Sequence, residues 1–153
     1  MLRNRITESM KAAMRAKEEV ALAAVRLIQA ALKDRDIAAR SKGNMDGISD
    51  DEILSMLQSM IKQRRDSIEM YEKGNRPELA EREAREIDVI ESFLPEQMDD
   101  AEVDAAIDAT MRELEATSMK DMGRIMAVLK ERHAGSMDFA KASARVKAKL
   151  TGG

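Results

Sequence analysis

The sequence predicts an all-α protein of two lobes. A N-terminal helical lobe carries a long antiparallel helical hairpin, and a compact three-helix lobe follows it. Three observations carry this reading. The 153 residues are 44% hydrophobic and 36% charged but only 2% aromatic, a mixture dominated by good helix formers and poor in the residues that build strands. Apolar side chains recur every third or fourth position along most of the chain. Capping and breaking residues interrupt that rhythm at short intervals. The segment Pro95-Glu96-Gln97-Met98 marks the boundary, giving an N-terminal domain over 1–95 and a C-terminal domain over 96–153.

The first helix is expected near 2–17, on the stripe Leu2, Ile6, Met10, Ala13 and Met14. The polar run Lys17-Glu18-Glu19 breaks the stripe, so two helices meet here, and the second covers 19–41 through Leu22, Val25, Ile28 and Leu32, with Ile37 a further candidate. Gly43, Asn44 and Gly47 mark a loop. Ser49 and Glu52 form a capping box, the hydroxyl taking a first-turn N–H and the carboxylate reaching back to the Ser49 N–H. The helix they open, 50–74, carries Ile53, Leu57, Ile61, Ile68 and Tyr71, and Gly74-Asn75-Arg76-Pro77 ends it. Pro77 is tolerated in the first turn of the next helix, where its missing N–H would have no partner. That helix, 76–93, presents Leu79, Ile87, Ile90 and Leu94 and stops before Pro95. Asp99 with Glu102 caps 99–115, which carries Val103, Ile107, Met111 and Leu114; Ser118 with Asp121 caps 119–133, which carries Met122, Ile125, Met126 and Leu129. Gly135 is a C-cap signal for that helix. Asp138 caps 138–150, with Phe139, Val146 and Leu150 inward, and the tail Thr151-Gly152-Gly153 is expected to fray.

The hairpin of 50–74 and 76–93 can be put in register. Its turn centres near residue 75, so facing residues sum to about 150: Leu57 faces Leu94, Ile61 faces Ile90, and Tyr71 faces Leu79. Arg64 falls on the apolar stripe between Ile61 and Ile68, opposite Glu86 and one turn from Glu83. A guanidinium on such a seam must be paired or must reach water, and a pair is expected.

Little in the composition supports chemistry. There is no cysteine, which removes disulfides, thiol nucleophiles and thiolate metal sites and suits a reducing compartment; the expectation drawn from it is a cytoplasmic protein. The first residues are amphipathic with no continuous apolar run, unlike a signal peptide or a membrane span, and Glu8 argues against a transit peptide. His133, the single histidine, sits near a helix C-terminus without a second His or an HExxH context, so no metal site forms around it. The carboxylates lie along helix faces with Lys or Arg nearby: Lys62 with Asp66, Arg65 with Glu69, Glu78 with Arg82, Glu81 with Arg85. No phosphate-binding glycine motif is present, nor a Ser-Ser-Lys amidase signature. No cofactor and no catalytic residue is expected. The 13 methionines read as fillers of irregular gaps between helices rather than a binding groove.

The net charge of −3 hides a pattern. Residues 1–42 hold 10 basic and 5 acidic side chains, 43–119 hold 8 and 21, and 120–153 hold 8 and 3. Two basic ends flank an acidic middle. A basic end is a footprint for a polyanion or ordinary solvated helix surface. In the last segment the candidates are Lys120, Arg124, Lys130, Arg132, Lys141, Arg145, Lys147 and Lys149. Gly123 beside them allows close approach of a backbone or of a neighbouring helix.

Three strings stand out in order: Ile61-Lys62-Gln63-Arg64-Arg65-Asp66-Ser67-Ile68 with Tyr71; Leu94-Pro95-Glu96-Gln97; and Lys120-Asp121-Met122-Gly123-Arg124-Ile125-Met126. Together they resemble the GatB/YqeY family, and Val25-Arg26-Leu27-Ile28-Gln29-Ala30-Ala31-Leu32-Lys33 fits the same family's N-terminal helix. The resemblance implies two helical lobes similar to the C-terminal tail of the B subunit of tRNA-dependent amidotransferase. That tail helps engage tRNA, while the kinase and amidase sites lie elsewhere in the enzyme. A label of carbon–nitrogen ligase with glutamine as amide donor would be inherited from the whole enzyme and is not expected of this chain. Many members carry a glycine after the aspartate that follows the Gly135 turn; Phe139 follows Asp138 here and reads as core. Two functions result: a translation-related, tRNA-associated binding module, or an adaptor whose acidic 43–119 segment docks a basic partner such as an aminoacyl-tRNA synthetase or an amidotransferase component.

Overall fold

A computed structural model describes residues 1–152. Seven α-helices account for it, with no strand among the described residues: α1 Leu2–Ala16, α2 Glu19–Ser41, α3 Asp50–Lys73, α4 Pro77–Glu91, α5 Asp100–Glu113, α6 Met122–His133 and α7 Phe139–Leu150. A 3₁₀ turn over Met119–Asp121 precedes α6. The chain forms two compact units, Met1–Pro95 and a second that begins at Glu96.

In the first unit, α1 ends because Lys17 adopts a left-handed backbone, φ 57°. This lets the Lys17 N–H reach the Met14 carbonyl and the Glu18 N–H reach that of Ala13, the helix-ending geometry that turns a chain back on itself. The α1–α2 pair buries Leu2, Ile6, Ala13, Val25, Ile28 and Leu32. Two residues placed on these stripes stay outside: Met14 is 51% and Ile37 50% exposed, because each lies at the outer edge of its stripe.

The capping box at Ser49 forms as expected, with the Ser49 hydroxyl accepting from the Glu52 N–H at 3.2 Å and the Glu52 carboxylate accepting from the Ser49 N–H at 3.2 Å. Asn75, left-handed at φ 57°, turns α3 into α4, and Pro77 occupies the first turn. Leu57, Ile61 and Ile90 are buried on the hairpin seam, whereas Leu94, Tyr71 and Leu79 are half-buried. The seam also takes Met56, Met60 and Phe93. Arg64 Nε donates to Glu86 at 3.0 Å and lies 3.9 Å from Glu83, with only 12% of the Arg64 side chain exposed. This matches the register argument.

Of the four within-helix pairs expected, only Arg85 with Glu81 forms, at 2.6 Å. Arg65 crosses to Glu91 at 3.2 Å, Arg82 turns to Glu86 at 3.8 Å, and Glu69 is taken by Lys73 at 3.1 Å. A long side chain on the flank of a hairpin has partners across the seam as well as along its own helix; Arg65 takes the former, whereas Arg82 and Glu69 take the other helical neighbour, one turn further along.

A polar network of three residues and four hydrogen bonds ties α1 and α2 to the loop before α3. Arg3 donates both terminal nitrogens to the two Asp36 oxygens at 2.7 Å. Asp36 also accepts from the Ile48 N–H at 2.9 Å, and Arg3 donates to the Ile48 carbonyl at 2.9 Å. Gly47 makes room for it. Its φ is +88°, and a Cβ there would lie 2.6 Å from Arg3 Nη2, so a side chain would strain the backbone and push the Arg3–Asp36 pair aside.

The second unit buries Val103, Ile107, Ile125, Leu129, Met137, Ala142 and Val146 among α5, α6 and α7, with Phe139 packed against them. Asp99 and Asp138 cap α5 and α7 as expected. The methionines divide. Met56, Met60 and Met137 fill core space, but Met1, Met14, Met45, Met70 and Met119 are exposed. The end of α7 is held where fraying was expected, since Thr151 returns its N–H and hydroxyl to the Lys147 carbonyl at 3.0 and 2.9 Å; Gly153 lies outside the described residues.

Candidate nucleic-acid interface

The eight basic residues of the C-terminal segment divide evenly. Arg132 makes a two-pronged bond to Glu113 on α5, at 2.7 and 2.8 Å. Arg145 and Lys149, one turn apart on α7, face the α5 row Asp100, Asp104 and Asp108. Arg145 reaches Asp104 at 2.8 Å and Asp100 at 3.3 Å, and Lys149 reaches Asp108 at 2.8 Å. Arg124 is held by Asp121 at 2.6 Å. Arg132 holds the Glu113 carboxyl, and Arg145 that of Asp104, below the usual carboxylate range. Asp121 falls to about 2, first because it accepts from the Thr117 N–H and then because of Arg124. These four cations are thus engaged in ion pairs within the lobe.

Lys120, Lys130, Lys141 and Lys147 are exposed, and among the described residues no carboxylate stands within ion-pair distance of any of them. Their positions follow from helix geometry. On α6 the core runs through Ile125 and Leu129, and Arg132 marks the flank turned to α5; at about 100° per residue Lys130 falls on the opposite flank. On α7 the core runs through Ala142 and Val146, and Lys149 marks the α5 flank, so Lys147 again falls opposite. In a three-helix unit those two flanks border the α6–α7 seam. Lys130 and Lys147 therefore share one edge, whereas Lys141 lies on the flank of Arg145 and Lys120 in the 3₁₀ turn.

Gly123 shares the outward face of α6 with Lys130, one heptad earlier. Apart from its chain neighbours and the backbone of its own helix, no atom lies within 4 Å of where its Cβ would be. Packing against a neighbouring helix, one of its two readings, is thus ruled out within this lobe.

The residues of the recurring strings have mostly structural posts. Arg64, Glu83 and Glu86 form the seam cluster. Leu94 packs against the first core. Gln97, two residues after Pro95, donates its side-chain amide to the Gly135 carbonyl at 2.7 Å, closing the turn between α6 and α7. Asp121 caps the entry to α6, and Met122 packs on the second core. Ser67 and Tyr71 are half-buried, while Lys62, Gln63 and Asp66 are exposed on α3 and Arg65 is engaged with Glu91. His133 closes α6, its carbonyl accepting from the Ser136 N–H and hydroxyl at 3.1 Å. Among the described residues no group of three His, Asp or Glu is placed to hold a metal ion, and no helix is long and apolar enough to cross a membrane.

The sequence marks residues 1–42 as a basic end, but no side chain of that end stands among the candidates. The first 42 residues carry ten basic side chains, and among the described residues only Arg3 and Lys11 of these have a carboxylate within 4.0 Å. The signal was the heptad spacing of Arg26, Lys33 and Arg40.

A family model described as "Yqey-like protein" matches residues 3–150. Among similar proteins, "Altered inheritance of mitochondria protein 41, mitochondrial" of Lachancea thermotolerans is 32% identical over 115 residues, covering 74% of this chain and 59% of that protein. Its namesake in Pyrenophora tritici-repentis is 30% identical, covering 90% and 76%. That of Saccharomyces cerevisiae is 31% identical, covering 69% and 54%. The chain thus spans little more than half the length of two of these relatives. Their names overturn the cytoplasmic expectation, since all three are called mitochondrial. The absence of cysteine suits any reducing compartment, so it did not single out the cytoplasm.

Proposed function

The chain belongs to the YqeY-like family, and from that premise we propose that it is a tRNA-associated accessory module, which holds folded RNA by its phosphates and leaves amide chemistry to other proteins. One observation carries the reading: Lys130 and Lys147, exposed and unpaired, share the α6–α7 edge beside the open backbone of Gly123. Unpaired lysines can release counterions from a phosphate backbone, and a glycine lets that backbone come close. Recognition would be by shape. The three aromatic residues, Tyr71, Phe93 and Phe139, are buried or half-buried, so none offers a stacking platform for bases.

The test is fluorescence anisotropy with labelled tRNA across a salt series, with duplex DNA as competitor. Lys130→Glu combined with Lys147→Glu should weaken binding and flatten the logarithmic salt slope by roughly 2. Arg112→Glu, an exposed cation on α5, should change little. No binding of tRNA at low salt, or equal binding of DNA, sinks the reading. The second reading, a helical adaptor for a protein partner such as a synthetase, is favoured by a different surface, the groove between α1 and α2.

A further inference from the structure

On the outer face of α2, Lys33, Ile37 and Arg40 stand at i, i+4 and i+7, and Arg26 lies one heptad before Lys33. All four are exposed, Ile37 by 50%. Beside them runs an open groove of about 330 Å³, floored by Ile6 and Leu32 and edged by Gln29, Lys33, Ile37 and Arg40. Only α1 and α2 line it. Its one carboxylate, Asp36, is already bound to Arg3 through both oxygens, so the lip keeps two uncompensated positive charges.

We propose that this groove docks an acidic amphipathic helix of a partner protein. Lys33 and Arg40 are two helical turns apart, about 10 Å, and Arg26 extends the row to about 21 Å. A helix laid alongside presents carboxylates at i and i+7 with the same separation. Its apolar residues at i+3 and i+4 then meet Ile37 and the Ile6–Leu32 floor. Charge and apolarity are matched in one register. A phosphate backbone would satisfy the cations but would leave the exposed Ile37 and the apolar floor against a polyanion, and no aromatic ring lies in the groove to stack a base. The inference uses residues of the first unit alone and is independent of the tRNA reading.

The experiment is a charge swap on the whole chain. A labelled helical peptide of about 15 residues, with Glu at the i and i+7 positions and Leu between them, is titrated by anisotropy. Its partner peptide carries Lys in place of Glu. Lys33→Glu with Arg40→Glu should weaken the acidic peptide at least about tenfold and give binding of the basic one. Both side chains are exposed, so the fold should hold, and circular dichroism checks it. Ile37→Ser should weaken the acidic peptide without altering its salt dependence. Amide shift changes on adding the peptide should centre on α1 and α2. The proposal is overturned if the acidic peptide does not bind, or if its binding is unaffected by the double reversal. It is equally overturned if the shifts fall on another surface, or if RNA rather than peptide is what the double reversal releases.

Discussion

Asp36 offers the sharpest quantitative check of the fold. Its carboxyl is held at about 2 rather than the usual 3.8, first by its bonds to Arg3 and then, against the opposing effect of burial, by the Ile48 N–H. That displacement corresponds to roughly 2 kcal/mol favouring the folded state at neutral pH. The Arg3 side chain is 37% exposed and that of Asp36 20%, so solvent screening reduces the figure to about 1–2 kcal/mol. Asp36→Asn keeps the shape and loses the charge. At pH 7 it should lower the stability of the first unit by that amount. The sign follows from the direction: a carboxyl held low stabilises the fold above its unfolded pKa and loses that contribution as pH falls through the folded value. The gap between wild type and variant should therefore be full at pH 5 and close between pH 4 and 2. Other carboxylates titrate alike in both proteins and cancel. The assay is urea denaturation followed by circular dichroism across that range; guanidinium chloride would screen the pair. Hydrogen exchange of the Ile48 amide gives a local readout, and Arg3→Met completes a double-mutant cycle. Equal denaturation midpoints at pH 7, or parallel pH profiles from 5 to 2, would refute the account.

Arg64→Ala should cost roughly 1–4 kcal/mol, because Glu86 is left in the hairpin seam without its main partner; an unchanged denaturation midpoint would show that the pair contributes nothing. Gly123→Ala should raise stability by about 0.5–1 kcal/mol, since the added methyl meets open space in a helix. If the same variant also weakens tRNA binding, close approach is the reason for the glycine; unchanged binding removes Gly123 from the interface.

The elements were legible because local rules and packing agree. Ser49 and Glu52, Asn75 and Pro77, Asp99 and Asp138 each act as their types suggest, and the hairpin register alone sets Arg64 against Glu86. What stayed hidden is what joins distant stretches. Arg3, Asp36 and Gly47 meet across 44 residues of sequence, and nothing in a helical wheel points to them. The same holds for Gln97 and Gly135. Arg65 was assigned to its helix neighbour Glu69 and instead crosses to Glu91, because spacing along a helix reports which partners are near but not which others compete.

The candidate site suffered most from counting charge along the chain. Cutting at residue 119 makes the last segment strongly basic, but α5 lies just before the cut and supplies Asp100, Asp104, Asp108 and Glu113 to the cations after it. Counted by folded unit, residues 1–95 hold 17 basic and 18 acidic side chains and residues 96–153 hold 9 and 11. Neither unit is basic overall, so long-range steering of RNA by net charge is weak. Any hold on phosphate by the C-terminal unit must come at short range, and Lys120, Lys130, Lys141 and Lys147 alone would give a logarithmic salt slope of roughly 4. A steeper measured slope would mean that further cations join, either from the ion pairs of Arg132, Arg145 or Lys149 or from the basic face of α2, and charge reversal at Lys33 and Arg40 tells the two apart.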